Sequence, residues 1–271
     1  MPFVLPLMSF FCTIQAFKSH YFLLNNAGLF MRTVRICQLN APLAINAELT
    51  LDDDGFGHLI RVLRFKKDDE FVVFDGNGHE FEAVLLSDGK SATYKCTKEI
   101  VRNVESPIYV ELGQVISRGD KMEFTIQKAV ELGISEITPL YSSRCGVKLD
   151  EKRSSKKVEQ WQKIAIAACE QCGRNVVPHV NDITNIDKWY EKSPEALSLT
   201  LDPKASIKLS EIEVKDKLRL LIGTEGGLDD SEISKASDNH FVGVTLGPRI
   251  LRTETAALAA LCILGSHFGD L

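Results

Sequence analysis

No excess of positive charge marks this 271-residue sequence: 32 Lys and Arg stand against 37 Asp and Glu, a formal net charge of −5. The global basic field that draws many proteins to nucleic acid is therefore missing, and a polyanion would have to be met by a local patch. The six histidines, at 20, 58, 79, 179, 240 and 267, are unclustered and offer neither a His-based triad nor a metal cage. Seven cysteines, at 12, 37, 96, 145, 169, 172 and 262, are odd in number and scattered. That excludes a disulfide framework and fits the reduced thiols of a cytoplasmic protein. Cys169-Glu170-Gln171-Cys172 is a single C-x-x-C late in a helix, with no second pair, so neither a redox couple nor a metal is expected. Internal repeats and low-complexity stretches are also lacking. What remains is ordinary globular composition, 44% hydrophobic and 25% charged, enough for one large domain or two modest ones.

The first thirty residues are short of charge, with Lys18 alone. A signal peptide would begin with positive charge, and a spanning helix would not be broken by Pro2, Pro6, Gln15 and Lys18. Residues 1–30 are therefore expected to be an extension belonging to no domain, upstream of a start at Met31; a membrane-associating tail is the alternative.

From Met31 to about Val104 the pattern is short and β-like. Phe71–Phe74 runs into the turn signal Asp75-Gly76-Asn77-Gly78, Phe81–Leu85 alternates as a second strand, and Ser91–Cys96 offers a third. Between them, Gly57–Arg64 predicts a short helix with Leu59, Ile60 and Leu63 on one face. Beyond Pro107 strands and helices alternate. Strands are expected over 108–116, 137–141, 197–201, 218–222 and 241–246, and helices over 121–132, 151–172, 229–237 and 254–268. Such alternation predicts an α/β domain with a mostly parallel sheet.

Two strand ends carry the chemistry. In Ile222-Gly223-Thr224-Glu225-Gly226-Gly227 a buried strand runs into a glycine-rich turn, where a ligand can approach the backbone outside the carboxyl end of a sheet. Its spacing is neither a Walker loop nor G-x-G-x-x-G. In Leu246-Gly247-Pro248-Arg249-Ile250-Leu251-Arg252-Thr253-Glu254, a second strand ends before a helix that Thr253 is expected to cap. Cations close to a helix N-terminus oppose its dipole, so Arg249 and Arg252 point to an anionic partner.

Between Arg144 and Arg174 eight Lys or Arg face four Asp or Glu, a local basic excess in an acidic chain. It reads either as a phosphate-contacting surface or as a solvated helix face. Arg144, Lys156, Gln171 and Arg174 are its candidate phosphate-contacting residues, with Gln171 and Arg174 expected to share one cleft. Arg61 and Arg64 form a second basic spot.

The sequence resembles the RsmE-type 16S ribosomal RNA methyltransferases of the SPOUT superfamily, over roughly Met31 to Leu271. The likeness rests on Arg61-Val62-Leu63-Arg64, Ser117-Arg118-Gly119-Asp120-Lys121-Met122-Glu123, Ile126–Gly133, Arg144–Val147, Trp161–Ile164, Glu170–Arg174 and both strand-end segments. One departure is Thr224, where the family has proline; a looser turn is expected.

The resemblance implies a PUA-like β-barrel RNA-binding domain over 31–104. A SPOUT methyltransferase domain with a C-terminal trefoil knot would follow over 105–271, acting as a cytoplasmic homodimer without a metal or a membrane. It further implies S-adenosylmethionine as cofactor and methylation of N3 of a uridine in the small ribosomal subunit. Leu201, Ile222, Gly223, Glu225 and Gly227 would face the cofactor from one side, and Leu246, Gly247, Ile250 and Leu251 from the other. The uridine imide must lose a proton before attack, so cations beside it lower the cost. Arg252 and Arg249 are the expected electrostatic partners, while Glu225 or Glu254 would take the proton or anchor an arginine. A knotted methyltransferase acting on another ribosomal or transfer RNA site, or a non-catalytic RNA-binding protein, are the alternatives.

Overall fold

A computed structural model describes residues 21–24, 30–192, 195–213 and 217–271. Most of the 1–30 extension thus lies outside the described residues. Strands β1 (Tyr21–Leu24) and β2 (Phe30–Thr33) pair antiparallel and join neither larger sheet.

The first module is a five-stranded sheet. It comprises β3 (Arg35–Cys37), β4 (Glu48–Thr50), β5 (Glu70–Phe74), β6 (Glu80–Ser87) and β7 (Thr93–Glu99), ordered β3-β5-β6-β7-β4. Only the β3–β5 pair is parallel. The expected Asp75–Gly78 turn joins β5 to β6, with Gly76 and Gly78 at positive φ (80° and 104°) where a side chain is disfavoured. Period-2 alternation sends Phe71, Val73, Phe81, Ala83, Leu85 and Tyr94 into one core. The helix expected over 57–64 is different in kind. A short α-helix, α1 (Asp53–Phe56), is capped by the Asp52 carboxylate and runs into a π-helical turn at Gly57–Val62. Leu59 is buried there as expected, and Arg61 and Arg64 stay exposed.

The second module adds β8 (Tyr109–Val115), α2 (Lys121–Glu131), β9 (Glu136–Tyr141), α3 (Glu151–Cys172), β10 (His179–Val180) and β11 (Thr184–Asn185). It continues with α4 (Ile186–Tyr190), β12 (Leu197–Leu201), β13 (Ile207–Lys208), β14 (Lys217–Ile222), α5 (Asp230–Asp238), β15 (Val242–Thr245) and α6 (Thr253–Phe268). The sheet order is β10-β9-β8-β14-β12-β15-β13, with β11 also on β9, and every pairing is parallel. Alternate strand residues choose opposite faces. Leu112, Leu220 and Ile222 meet α2, α3 and α6, while Val115 and Leu221 meet Trp189, Tyr190 and Phe241. Each fully buried leucine contributes about 1.5–3 kcal/mol. Asp229 caps α5 in a capping box with Glu232, as the spacing predicts.

One charge pair sits inside this sheet: Arg219 and Glu111 are register partners on β14 and β8, 3.4 Å apart. Arg219 also stacks on Trp189, whose indole N–H donates to Glu111 (2.7 Å). The pair is buried yet partnered, as a charge in a core must be.

The two modules meet at the end of α3. The Cys37 N–H donates to the Glu170 carboxylate (2.9 Å), and residues 175–177 bond the backbone of the β5–β6 turn. Arg174 corrects an expectation. Its side chain is 6% exposed, donates to the carbonyls of Val130 (3.0 Å) and Ile134 (2.8 Å), and pairs with Glu105. It is therefore turned into the junction, with four of its five N–H donors engaged there, and shares no cleft with the exposed Gln171.

Candidate active site

β14 ends at Ile222, and the chain folds back sharply over 223–228. A β-carbon on Gly223 would lie 2.9 Å from the Leu228 nitrogen, so only glycine allows the backbone this close to itself. Gly227 (φ 68°) completes the reversal, its N–H donating to the Thr224 carbonyl (2.9 Å). At Thr224, where a looser turn is expected, the hydroxyl accepts the Gly226 N–H (3.2 Å) and donates to the Gly227 carbonyl (3.4 Å), so hydrogen bonds span the turn.

β15 ends in a similar way, with the Gly247 N–H donating to the Thr245 hydroxyl (3.3 Å) and Gly247 at φ 131°. The chain then crosses to α6. Here the structure corrects the role given to Thr253. Arg252 occupies the N-cap position and makes no side-chain cap, while Thr253 is the first helical residue. The Thr253 hydroxyl instead donates to the Gly223 carbonyl (2.6 Å) and accepts from the Gln114 amide (3.0 Å), pinning the two glycine-bearing segments together.

Between them lies a cleft of about 500 Å³. Leu201, Ile222, Leu246 and Leu251 form apolar walls, and Gly223, Glu225 and Gly227 line the cleft along the glycine turn. Ile250 stands at the rim, 86% exposed. Gly247 shapes the loop without lining the cleft. Arg249 lines it, but Arg252 and Glu254 do not. Arg252 is exposed beside the cleft, and Glu254 is half-buried with one carboxylate oxygen buried and without a hydrogen-bond partner among the described residues. Unforeseen lining comes from Asp202, Pro203 and Lys204, just past β12. Their signal was present, because a buried strand ending in Asp-Pro is a third strand end of the same type.

Glu225 faces outward from the turn and pairs with Lys121 at 2.9 Å. Partial burial pushes its carboxyl upward, but hydrogen bonds from Lys121 and from the backbone of Glu225 and Arg118 outweigh this and hold it below the ordinary value. Arg144, expected to touch RNA, donates to the carbonyls of Gly226 (2.8 Å) and Leu228 (3.2 Å) and so braces the same turn. Lys156, Gln171, Arg61 and Arg64 are exposed and remote from the cleft walls. Burial raises the thiols of Cys169 and Cys172, which disfavours the thiolate that redox or metal chemistry needs. Among the described residues no group of three or more His, Cys, Asp or Glu could hold a metal ion, and no helix is long and apolar enough to cross a membrane.

The dimensions and chemistry of the cleft suit an adenosyl group. Leucine and isoleucine walls can sandwich a planar base, and backbone groups freed of side chains by Gly223 and Gly227 can read its edge.

Residues 104–265 match the RNA methyltransferase domain and residues 51–94 the RNA methyltransferase PUA domain. The ribosomal RNA small subunit methyltransferase E of Buchnera aphidicola (subspecies Schizaphis graminum) is 38% identical over 232 residues, covering 84% of this chain and 94% of that protein. The structure of the Neisseria gonorrhoeae ribosomal RNA small subunit methyltransferase E, bound to S-adenosylmethionine, is 37% identical with a TM-score of 0.83. It covers 88% of this chain and 99% of that one. The Bacillus subtilis ribosomal RNA small subunit methyltransferase E is 34% identical, covering 75% of this chain and 84% of that protein. The parallel sheet with its glycine-bearing strand ends is thus a SPOUT-type α/β domain behind a PUA module, and the chain belongs to the RNA methyltransferase family, among the ribosomal RNA small subunit methyltransferase E proteins.

Proposed function

We propose that this chain is an S-adenosylmethionine-dependent methyltransferase of 16S ribosomal RNA that modifies N3 of a uridine. The observation that carries this reading is the cleft between the 222–227 and 246–251 strand ends, in a chain whose relatives include one solved with that cofactor. When bound, the cofactor supplies an electrophilic methyl group on a sulfonium centre. Leu201, Ile222, Leu246 and Leu251 would hold its adenine between apolar faces, with Ile250 and the backbone at Gly223, Gly227 and Gly247 completing the site.

The chain's own residues must then stabilise the imide anion of uridine and accept its proton. Arg249 on the cleft wall and Arg252 beside it, both exposed, would supply positive charge to that anion once the substrate covers them. Glu225, held as a carboxylate by Lys121, and Glu254, with one buried oxygen that has no hydrogen-bond partner among the described residues, would be the candidate proton acceptors. Residues 31–104 would form the RNA-binding domain and 105–271 the catalytic domain. Arg61, Arg64, Arg144, Lys156 and Gln171 would meet RNA in a homodimer working in the cytoplasm.

The test is methyl transfer from labelled cofactor to small ribosomal subunits lacking the modification, followed by mapping of the modified base. Label at uridine N3 is the expected result. Label at another atom would sink the uridine assignment, and a protein that binds the cofactor calorimetrically but transfers nothing would sink the catalytic one.

A further inference from the structure

The Gly223–Leu228 turn has two sides. One faces the cofactor cleft; the other borders a second, more open hollow of about 670 Å³. Thr224, Glu225, Gly226 and Arg144 line both, so the turn is a partition one backbone thick. The far side of the hollow is made by Arg118, Gly119, Asp120 and Lys121, where β8 passes into α2, and by Gly146. It brings three cations within one small space, opposed by Asp120 and Glu225.

Two of these cations are engaged with the turn: Lys121 with Glu225, and Arg144 with the carbonyls of Gly226 and Leu228. Arg118 is not. It is exposed, and among the described residues its guanidinium makes no ion pair or hydrogen bond. It lies against Gly146, where a β-carbon would fall 2.3 Å from its Nη2 and 2.5 Å from its Nε, so a side chain there would push the guanidinium aside. A guanidinium laid against backbone with its donor fork unspent is the arrangement that meets a phosphate at two oxygens. The positive end of α2 borders the same hollow, and Asp120 does not satisfy it, since it makes no capping hydrogen bond.

We propose that this hollow is a subsite for a backbone phosphate of the RNA substrate, with Arg118 as its principal ligand and Lys121 and Arg144 as its walls. The inference rests on the methyltransferase reading above. Phosphate and cofactor would then press on opposite faces of one turn, which couples the two binding events and makes each tighten or weaken the other by the same factor.

The test compares wild-type protein with Arg118→Ala and Gly146→Ala, the latter keeping the charge but displacing the guanidinium. The probe is in vitro transcribed 16S ribosomal RNA, titrated over a range of salt, beside calorimetry with S-adenosylmethionine alone. Both variants are expected to bind RNA about tenfold more weakly, and Arg118→Ala to flatten the slope of log affinity against log salt by about 1. Cofactor affinity in the absence of RNA should not change. Unaltered RNA affinity in both variants would overturn the subsite. So would a loss of cofactor affinity, which would assign the hollow to the cofactor's own carboxylate. A wild-type protein that neither binds this RNA nor methylates small ribosomal subunits lacking the modification would remove the functional reading as well, a result separate from failure of the two variants.

Discussion

The Thr253 hydroxyl donates to the carbonyl of Gly223, thirty residues earlier in the chain, at 2.6 Å. One hydrogen bond thereby joins the start of the last helix to the start of the glycine turn, and Gln114 completes the relay from β8.

Thr253→Val keeps the shape and removes the relay. It takes the donor from the part-buried Gly223 carbonyl and one of two acceptors from the buried Gln114 amide, which keeps its bond to the Val115 carbonyl, at a cost of about 1 kcal/mol. Thermal unfolding should begin at lower temperature, and calorimetry should show weaker cofactor binding because both walls of the cleft are released. Unchanged values for both would mean that the walls are held by packing alone.

Arg252→Ala should lower kcat at least a hundredfold, roughly 2.7 kcal/mol of transition-state stabilisation, with the melting temperature unmoved. Arg252 is exposed and makes no helix cap, so nothing in the fold depends on it. Single-turnover methyl transfer at saturating cofactor is the measurement that decides. Wild-type turnover would take Arg252 out of the chemistry.

Arg174→Ala should behave in the opposite way. Removing one partner of a buried ion pair costs about 3–5 kcal/mol, because the Glu105 carboxylate and two carbonyls lose their donors. Chemical denaturation should register that loss, while the salt dependence of RNA binding by the folded protein stays the same. A shallower salt slope would return Arg174 to the RNA surface.

His58 lies 3.6 Å from Glu170, at the seam between the modules. Donating to the Glu170 carboxylate raises its pKa, burial lowers it, and the charge of Glu170 adds to the rise. A histidine raised above its unfolded value of about 6.5 contributes stability that is complete below that pH and fades as pH climbs through the folded value. The difference in unfolding free energy between wild type and His58→Gln should therefore be largest in mildly acidic solution and shrink toward alkaline pH. A difference that is flat or grows with pH would contradict the pairing.

The α/β class and the cleft were legible because their signals are local. Apolar runs such as Leu218–Ile222 mark buried strands, and glycines directly after them mark places where backbone must be bare. Longer-range features were not. Arg174 looks basic and terminal in the sequence, yet its acceptors come from residues 40 to 69 positions away. Thr253 has the composition of a cap, and only the third dimension shows that its hydroxyl points across the sheet. Arg219 and Glu111 lie inside two strands expected from the sequence, and neither betrays the other until the strands are side by side. Thr224 belongs with these, since the loss of proline is visible in sequence and the hydroxyl bonds across the turn are not.

The longest element, α3, has 22 residues, hence a length of about 33 Å at 1.5 Å per residue. One end follows the loop that carries Arg144 and Gly146, and the other is bolted to the β5–β6 turn of the first module. The interval between that module and the cofactor cleft is therefore a fixed ruler rather than a tether. A target nucleotide would be chosen partly by how far it lies from the feature the first module holds. Inserting or deleting a turn of this helix would shift the measured distance by about 5 Å, without touching a single residue of the cleft.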